Sequence, residues 1–164
     1  MQLLANPSFD GTPVGVSWTE IRTNPTDPLI RADAPAAVVE HSAPNLLWLA
    51  GVNDCVDRAI QDVAIPADTT MLVLTGKIQV RKRSLPDDLD VANIEVRTTS
   101  DTVVQQLLHW DGVMQLTAWT PFSATITGNH AGQTIRISVG STTDDNTLTD
   151  FYFDSLALTA TVCR

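Results

Sequence analysis

The closing stretch "TLTDFYFDSLALTATVC", Thr147 to Cys163, reads as an apolar strand that carries a carboxylate, Asp154, between Phe153 and Ser155. An ionised carboxylate buried without a partner is costly, so Asp154 calls for a partner or a local irregularity. Phe151 and Phe153 share one parity, whereas Leu156 and Leu158 share the other. Both pairs reach the same core only if an extra residue is accommodated between them, which predicts a β-bulge at Asp154–Ser155. A carboxylate beside carbonyls released from the ladder is what a hard cation such as calcium selects. Backbone N–H groups at the bulge are the other candidate partners.

The remaining reactive side chains are scattered. His41, His109 and His130 fall in separate segments with no ligand spacing, and no GxSxG, Walker or HExxH pattern occurs. The acidic pairs Asp87–Asp88 and Asp144–Asp145 each sit in a turn cluster, where solvation explains them. A catalytic role is therefore not expected. Cys55 and Cys163 are too distant in sequence for a metal knuckle, and no CxxC is present. Two free thiols are one reading. A disulfide is the favoured one, because Cys163 lies one residue from the end, where a staple would stop fraying. Such a bridge would contribute roughly 4–5 kcal/mol by loop closure and would imply an oxidising compartment.

Acidic residues outnumber basic ones 19 to 10, for a net charge of −9. That field repels phosphate backbones and anionic membranes and argues against nucleic acid as a partner. The basic cluster "RKRS", Arg81 to Ser84, reads as a solvated strand end. No segment approaches the ~20 continuous apolar residues of a membrane-crossing helix, so membrane insertion is not expected. "QLLANPSFDG" reads as a strand and turn rather than a leader, as at the start of a mature domain.

Alternation with a period of two dominates the elements that must position these groups. In "MLVLTGKIQV", Leu72, Leu74, Gly76, Ile78 and Val80 share one face. "QTIRISVG" points Ile135, Ile137 and Val139 inward and Arg136 outward, and "VANIEVRT" opposes Ala92, Ile94 and Val96 to Asn93, Glu95 and Arg97. "GVSWTEI", "AAVVEH", "NLLWLAG", "DRAIQDVAI", "TVVQQLLHW" and "TPFSATI" are further candidate strands, and Thr23 to Pro35 reads as a loop. Short strands separated by turn signals, without a helical stretch or fixed repeat, predict one antiparallel β-sandwich or jelly roll spanning residues 1–164.

The series "LLANPSFDG", Trp18, "LAGVND", "AIQDVAIPADTTMLVLTGKIQV" and "AGQTIRISVGSTTDDNTLTDFYFDSLALT" resembles the galactose-binding-like jelly-roll modules of secreted bacterial proteins. Carbohydrate-binding modules belong to that superfamily. The resemblance implies an all-β, antiparallel sandwich of two sheets with adjacent terminal strands. It also implies a structural calcium held by the acid after the opening Phe and the Asp of the last strand, here Asp10 and Asp154. Without a metal, Asp10 organises an Asx-turn before Gly11. Trp18 and the four Phe residues match inward positions, leaving Trp48, Trp110, Trp119 and Tyr152. Trp110 borders a turn and is the candidate sugar platform, with His109 and Asp111 as polar neighbours and Trp48 as a further ring. The expected function is a non-catalytic module attaching a secreted or surface protein to a glycan or cell-surface polymer. The alternative is a structural or adhesive module whose partner is a protein in a surface assembly.

Overall fold

Ten strands and no helix make up the computed structural model, which describes residues 1–35, 38–82, 89–145 and 148–163. The short strands β1 (Thr19–Ile21), β2 (Ile30–Arg31) and β3 (Leu46–Leu49) come first. The long ones follow: β4 (Val56–Ala64), β5 (Thr69–Lys82), β6 (Val91–Arg97), β7 (Val103–Asp111), β8 (Leu116–Ile126), β9 (Thr134–Thr142) and β10 (Thr149–Val162). They form two antiparallel five-stranded sheets, ordered β1-β4-β9-β6-β7 and β2-β3-β10-β5-β8. This is the expected jelly-roll sandwich. Arg83, Ser84 and the Asp87–Asp88 pair lie outside the described residues.

Alternation explains the layers. Ala92, Ile94 and Val96 of β6 and Ile135, Ile137 and Val139 of β9 are buried, facing Leu72, Leu74, Ile78 and Val80 of β5 in one core. The predicted parity change in the last strand is present. The β10–β5 register shifts between Asp154 and Ala157, and Ser155 sits at φ 51°. Phe151, Phe153, Leu156 and Leu158 thereby all enter the core. The first residues run beside β10: Gln2 bridges Thr159, and the Leu3 N–H donates to the Leu158 carbonyl at 2.8 Å. Met1 and Ala160 exchange two further bonds, at 2.8 and 2.9 Å.

Three readings of the sequence need correction. Residues 38–41 of "AAVVEH" are not a strand, while Ile30–Arg31, inside the segment read as a loop, pairs with β3. The Cys55–Cys163 disulfide is not formed, and both thiols are free. Cys55 precedes β4, whereas the Cys163 N–H donates to Asp68 O beyond the far end of β4. A nine-residue strand between them spans roughly 30 Å at about 3.3 Å per residue, far beyond disulfide reach. Burial pushes the Cys55 thiol up to about 11, and its Sγ accepts a bond from Thr143 Oγ1 at 3.2 Å. Thiol-exchange titration should therefore count one reactive cysteine, the exposed Cys163, in the native protein and a second only in denaturant. Two fast thiols in native buffer would contradict this burial.

Candidate functional site

Asp10 and Asp154, far apart in sequence, meet on Ser42. The Ser42 N–H donates to Asp154 Oδ2 at 2.7 Å, and the Ser42 hydroxyl donates to Asp10 Oδ2 at 2.8 Å. Asn45 N–H holds Asp10 Oδ1 at 2.9 Å, and the Ser155 N–H donates to Asp154 Oδ1. Asp154 is fully buried. Desolvation, with a smaller contribution from the Asp10 charge, pushes its carboxyl up to about 6 against these donors. His41 Nδ1 lies 2.8 Å from Ser155 Oγ, on the same loop that covers the bulge. Among the described residues, no three of His, Cys, Asp and Glu gather into a metal-holding group.

Trp110 is not at the surface, contrary to the expectation of a platform. It faces inward opposite Ala92 and packs edge-on against Phe122 and Phe153, with ring centroids 5.3 and 5.5 Å away. Asp111 completes a turn, its Oδ1 accepting the Val113 and Met114 N–H groups. Trp48 lines a small pocket with Asp27, Arg31 and Asp57. Its ring is already engaged: Arg31 stacks over it at 5.0 Å, and Tyr152 lies 5.8 Å away. Gly51 backs it so closely that an added Cβ would sit 3.2 Å from the indole. These contacts leave Trp48 a pocket wall rather than a flat stacking surface.

The broader concavity lies on the outer face of the β1-β4-β9-β6-β7 sheet. Register sets its composition, because directly opposed residues of antiparallel strands share a face. One row reads Ile21, Arg58, Gly140, Asn93 and His109 across the five strands. The next reads Thr19, Ile60, Ser138, Glu95 and Gln106, and a third reads Asp62, Arg136, Arg97 and Val103. Gly140, lacking a side chain, makes the low point. An added Cβ there would meet Arg58 Cγ at 2.7 Å, so the arginine stem lies across the glycine. The resulting groove, about 300 Å³, is lined by Val56, Arg58, Asn93, Glu95, Arg97 and Gly140, with Ser141 and Thr142 beside them.

Ion pairs fix the groove's planar groups. Arg97 donates to Glu95 Oε2 at 2.7 and 2.8 Å, and Arg58 grips Asp101 in a fork at 2.9 and 3.1 Å. Arg136 does the same to Asp62 at 2.7 and 3.0 Å. The Arg58 bond foremost, then burial opposing it, leaves the Asp101 carboxyl below its usual range. Of the sequence candidates, His109 joins this face, with Nδ1 2.8 Å from Asn93 Oδ1. Arg58, Gly140 and Asp101 were not singled out from sequence. The signal available was the outward parity of "DRAIQDV", "VANIEVR" and "TIRISVG".

No protein-family model matches the chain, and no curated protein matches it either. Solved structures do match it in shape. TmCBM61 in complex with β-1,4-galactotriose aligns with a TM-score of 0.64 and 12% identity, covering 98% of this chain and 99% of that one. The CBM22-1 xylan-binding domain of Xyn10C from Paenibacillus barcinonensis aligns at 0.52 and 13%, covering 95% and 92%. A cyclase from Fischerella sp. TAU in complex with 4-(1H-indol-3-yl)butan-2-one aligns at 0.57 and 13%, covering 100% and 99%. The chain therefore has the jelly-roll fold of carbohydrate-binding modules, a fold that also carries enzymes.

Proposed function

We propose that the chain is a non-catalytic glycan-binding module that attaches a secreted or cell-surface parent protein to a polymer of sugars. The observation that carries this reading is the groove across β4, β9 and β6. Its carboxylate and guanidinium groups are held by ion pairs, and its Asn93 amide by His109, before any ligand arrives. Fixed planar donors and acceptors suit sugar hydroxyls, because little side-chain ordering remains to be lost on binding. The whole-length likeness to sugar-binding modules supports the same reading. A groove of this size fits a short run of sugar units.

Glycan-array screening followed by calorimetry of the best hit tests it. Arg58→Ala should weaken that hit by about tenfold or more, as loss of a fixed charge-assisted donor does. Absence of any hit, with concentration-dependent assembly in light scattering, would overturn the reading in favour of a protein-binding module of a surface assembly. Full affinity in Arg58→Ala would move the site off this face.

A structural calcium belongs to the same proposal. Asp10 and Asp154 converge as hard oxygen donors of like charge, and Asp10 adds to the cost of ionising buried Asp154. The two carboxylates and the Ser42 hydroxyl would hold the ion, which would supply the positive charge that this burial lacks.

A further inference from the structure

Resting on the reading of the groove as a glycan site, we infer that Asp101 decides which glycans enter. Its carboxylate stands in the place of a ligand's acid group and restricts the groove to neutral sugars.

Three guanidiniums converge on this one side chain. Besides the Arg58 fork, Arg97 Nη1 lies 3.4 Å from Asp101 Oδ2, and Arg136 Nη1 lies 3.6 Å from Oδ1. Arg97 Nη1 also donates to the Asp101 main-chain carbonyl at 2.9 Å. Asp62 and Glu95 belong to the strands themselves and hold Arg136 and Arg97. Asp101 instead arrives from the turn between β6 and β7. There the Asp101 N–H donates to Thr98 O at 3.0 Å, and the Thr102 N–H donates to Thr98 Oγ1. Among the described residues it is the carboxylate that pairs with Arg58.

Within this ion-pair cluster three arginines balance Asp62, Glu95 and Asp101. A uronate entering beside Arg58 and Arg97 would find them already satisfied and would meet the Asp101 charge. Neutral hydroxyls meet no such opposition and can use the lone pairs and N–H groups that the ion pairs leave over. Without the Asp101 carboxylate, the cluster carries one net positive charge, and Arg58 presents an open fork to any planar anion.

Asp101 has φ 71°, a conformation that asparagine and glycine accept readily, so Asp101→Asn and Asp101→Gly keep the turn. Calorimetry with β-1,4-galactotriose and with trigalacturonate at two salt concentrations, after circular dichroism confirms folding, provides the test. Wild type should prefer the neutral trisaccharide by about tenfold or more. In both variants trigalacturonate should bind about tenfold more tightly than to wild type, in a salt-sensitive way, while galactotriose weakens. A purely structural role would lower both affinities together and would overturn the inference, as would a wild type that binds both trisaccharides equally. The second outcome leaves the glycan reading intact. Variants that fail to gain trigalacturonate would overturn the Asp101 assignment alone, whereas the glycan reading itself falls only if the glycan array gives no hit with wild type.

Discussion

Replacing Trp110 with alanine is expected to lower the melting temperature by about 12 °C while leaving glycan affinity within about twofold of wild type. Removing a buried aromatic that packs on neighbouring rings costs about 4 kcal/mol, and each kcal/mol moves the midpoint about 3 °C in a chain of this size. The ring is 7% exposed and shares its surroundings with Phe122 and Phe153, the latter fully buried. Its loss therefore opens a cavity between the sheets rather than a gap in a binding face. Thermal unfolding and calorimetry on the same preparation separate the two roles. A fall of more than about tenfold in affinity with an unchanged melting temperature would identify Trp110 as a sugar platform after all.

Asp154→Ala should have the next largest effect, and its size should depend on pH. Alanine orphans the Ser42 and Ser155 N–H groups, a loss of about 3 kcal/mol when the native carboxyl is protonated. The native carboxyl titrates at about 6, against an ordinary 3.8. A raised folded value means that the folded state keeps a proton the unfolded chain has released. Asp154's contribution is thus fully present below the ordinary value and fades as pH rises through about 6. The gap between wild type and variant should accordingly narrow by about 2 kcal/mol from pH 4 to pH 7 in EDTA, read by urea unfolding. Calcium at pH 7 should restore the gap, since a dication offsets the buried charge. A gap that stays flat with pH would refute the buried titration, and one indifferent to calcium would remove the metal from the proposal.

The parity slip between "FYF" and "LAL" made the bulge legible, because one core had to receive both triplets. The expectation at Trp110 failed for another reason: it rested on the nearby turn and not on alternation, which points the ring inward. Strand β7 has its own register shift: Ile94 opposes Leu108, but Glu95 opposes Gln106. A second shift between Val96 and Arg97 cancels it, so Trp110 keeps the parity opposite to outward Val103 and points inward beside Ala92. The cysteine pairing was illegible because strand β4 lies between the two thiols, and its placement is a property of topology. Each outward residue of the groove was readable singly. Their assembly into rows was not, since β4, β9 and β6 are neighbours in space but not in sequence. Asp10 and Asp154 were linked through family resemblance, and Ser42, which joins them, carried no local signal.

The seam between the first residues and β10 has a mechanical consequence. Met1 and Leu3 bond Ala160 and Leu158 in antiparallel fashion, so the two chain ends leave the sandwich side by side. Tension that draws the two ends apart pulls along these hydrogen bonds, which lie perpendicular to the strands, and loads them one at a time. They would open singly, like a zip, at low force. The opening then reaches Ser42, where Asp10 on one arm and Asp154 on the other are tied to a third segment. A module anchored by its ends would lengthen under load and stop at that knot, giving up Leu4 and Phe9 from the core and leaving the groove undisturbed.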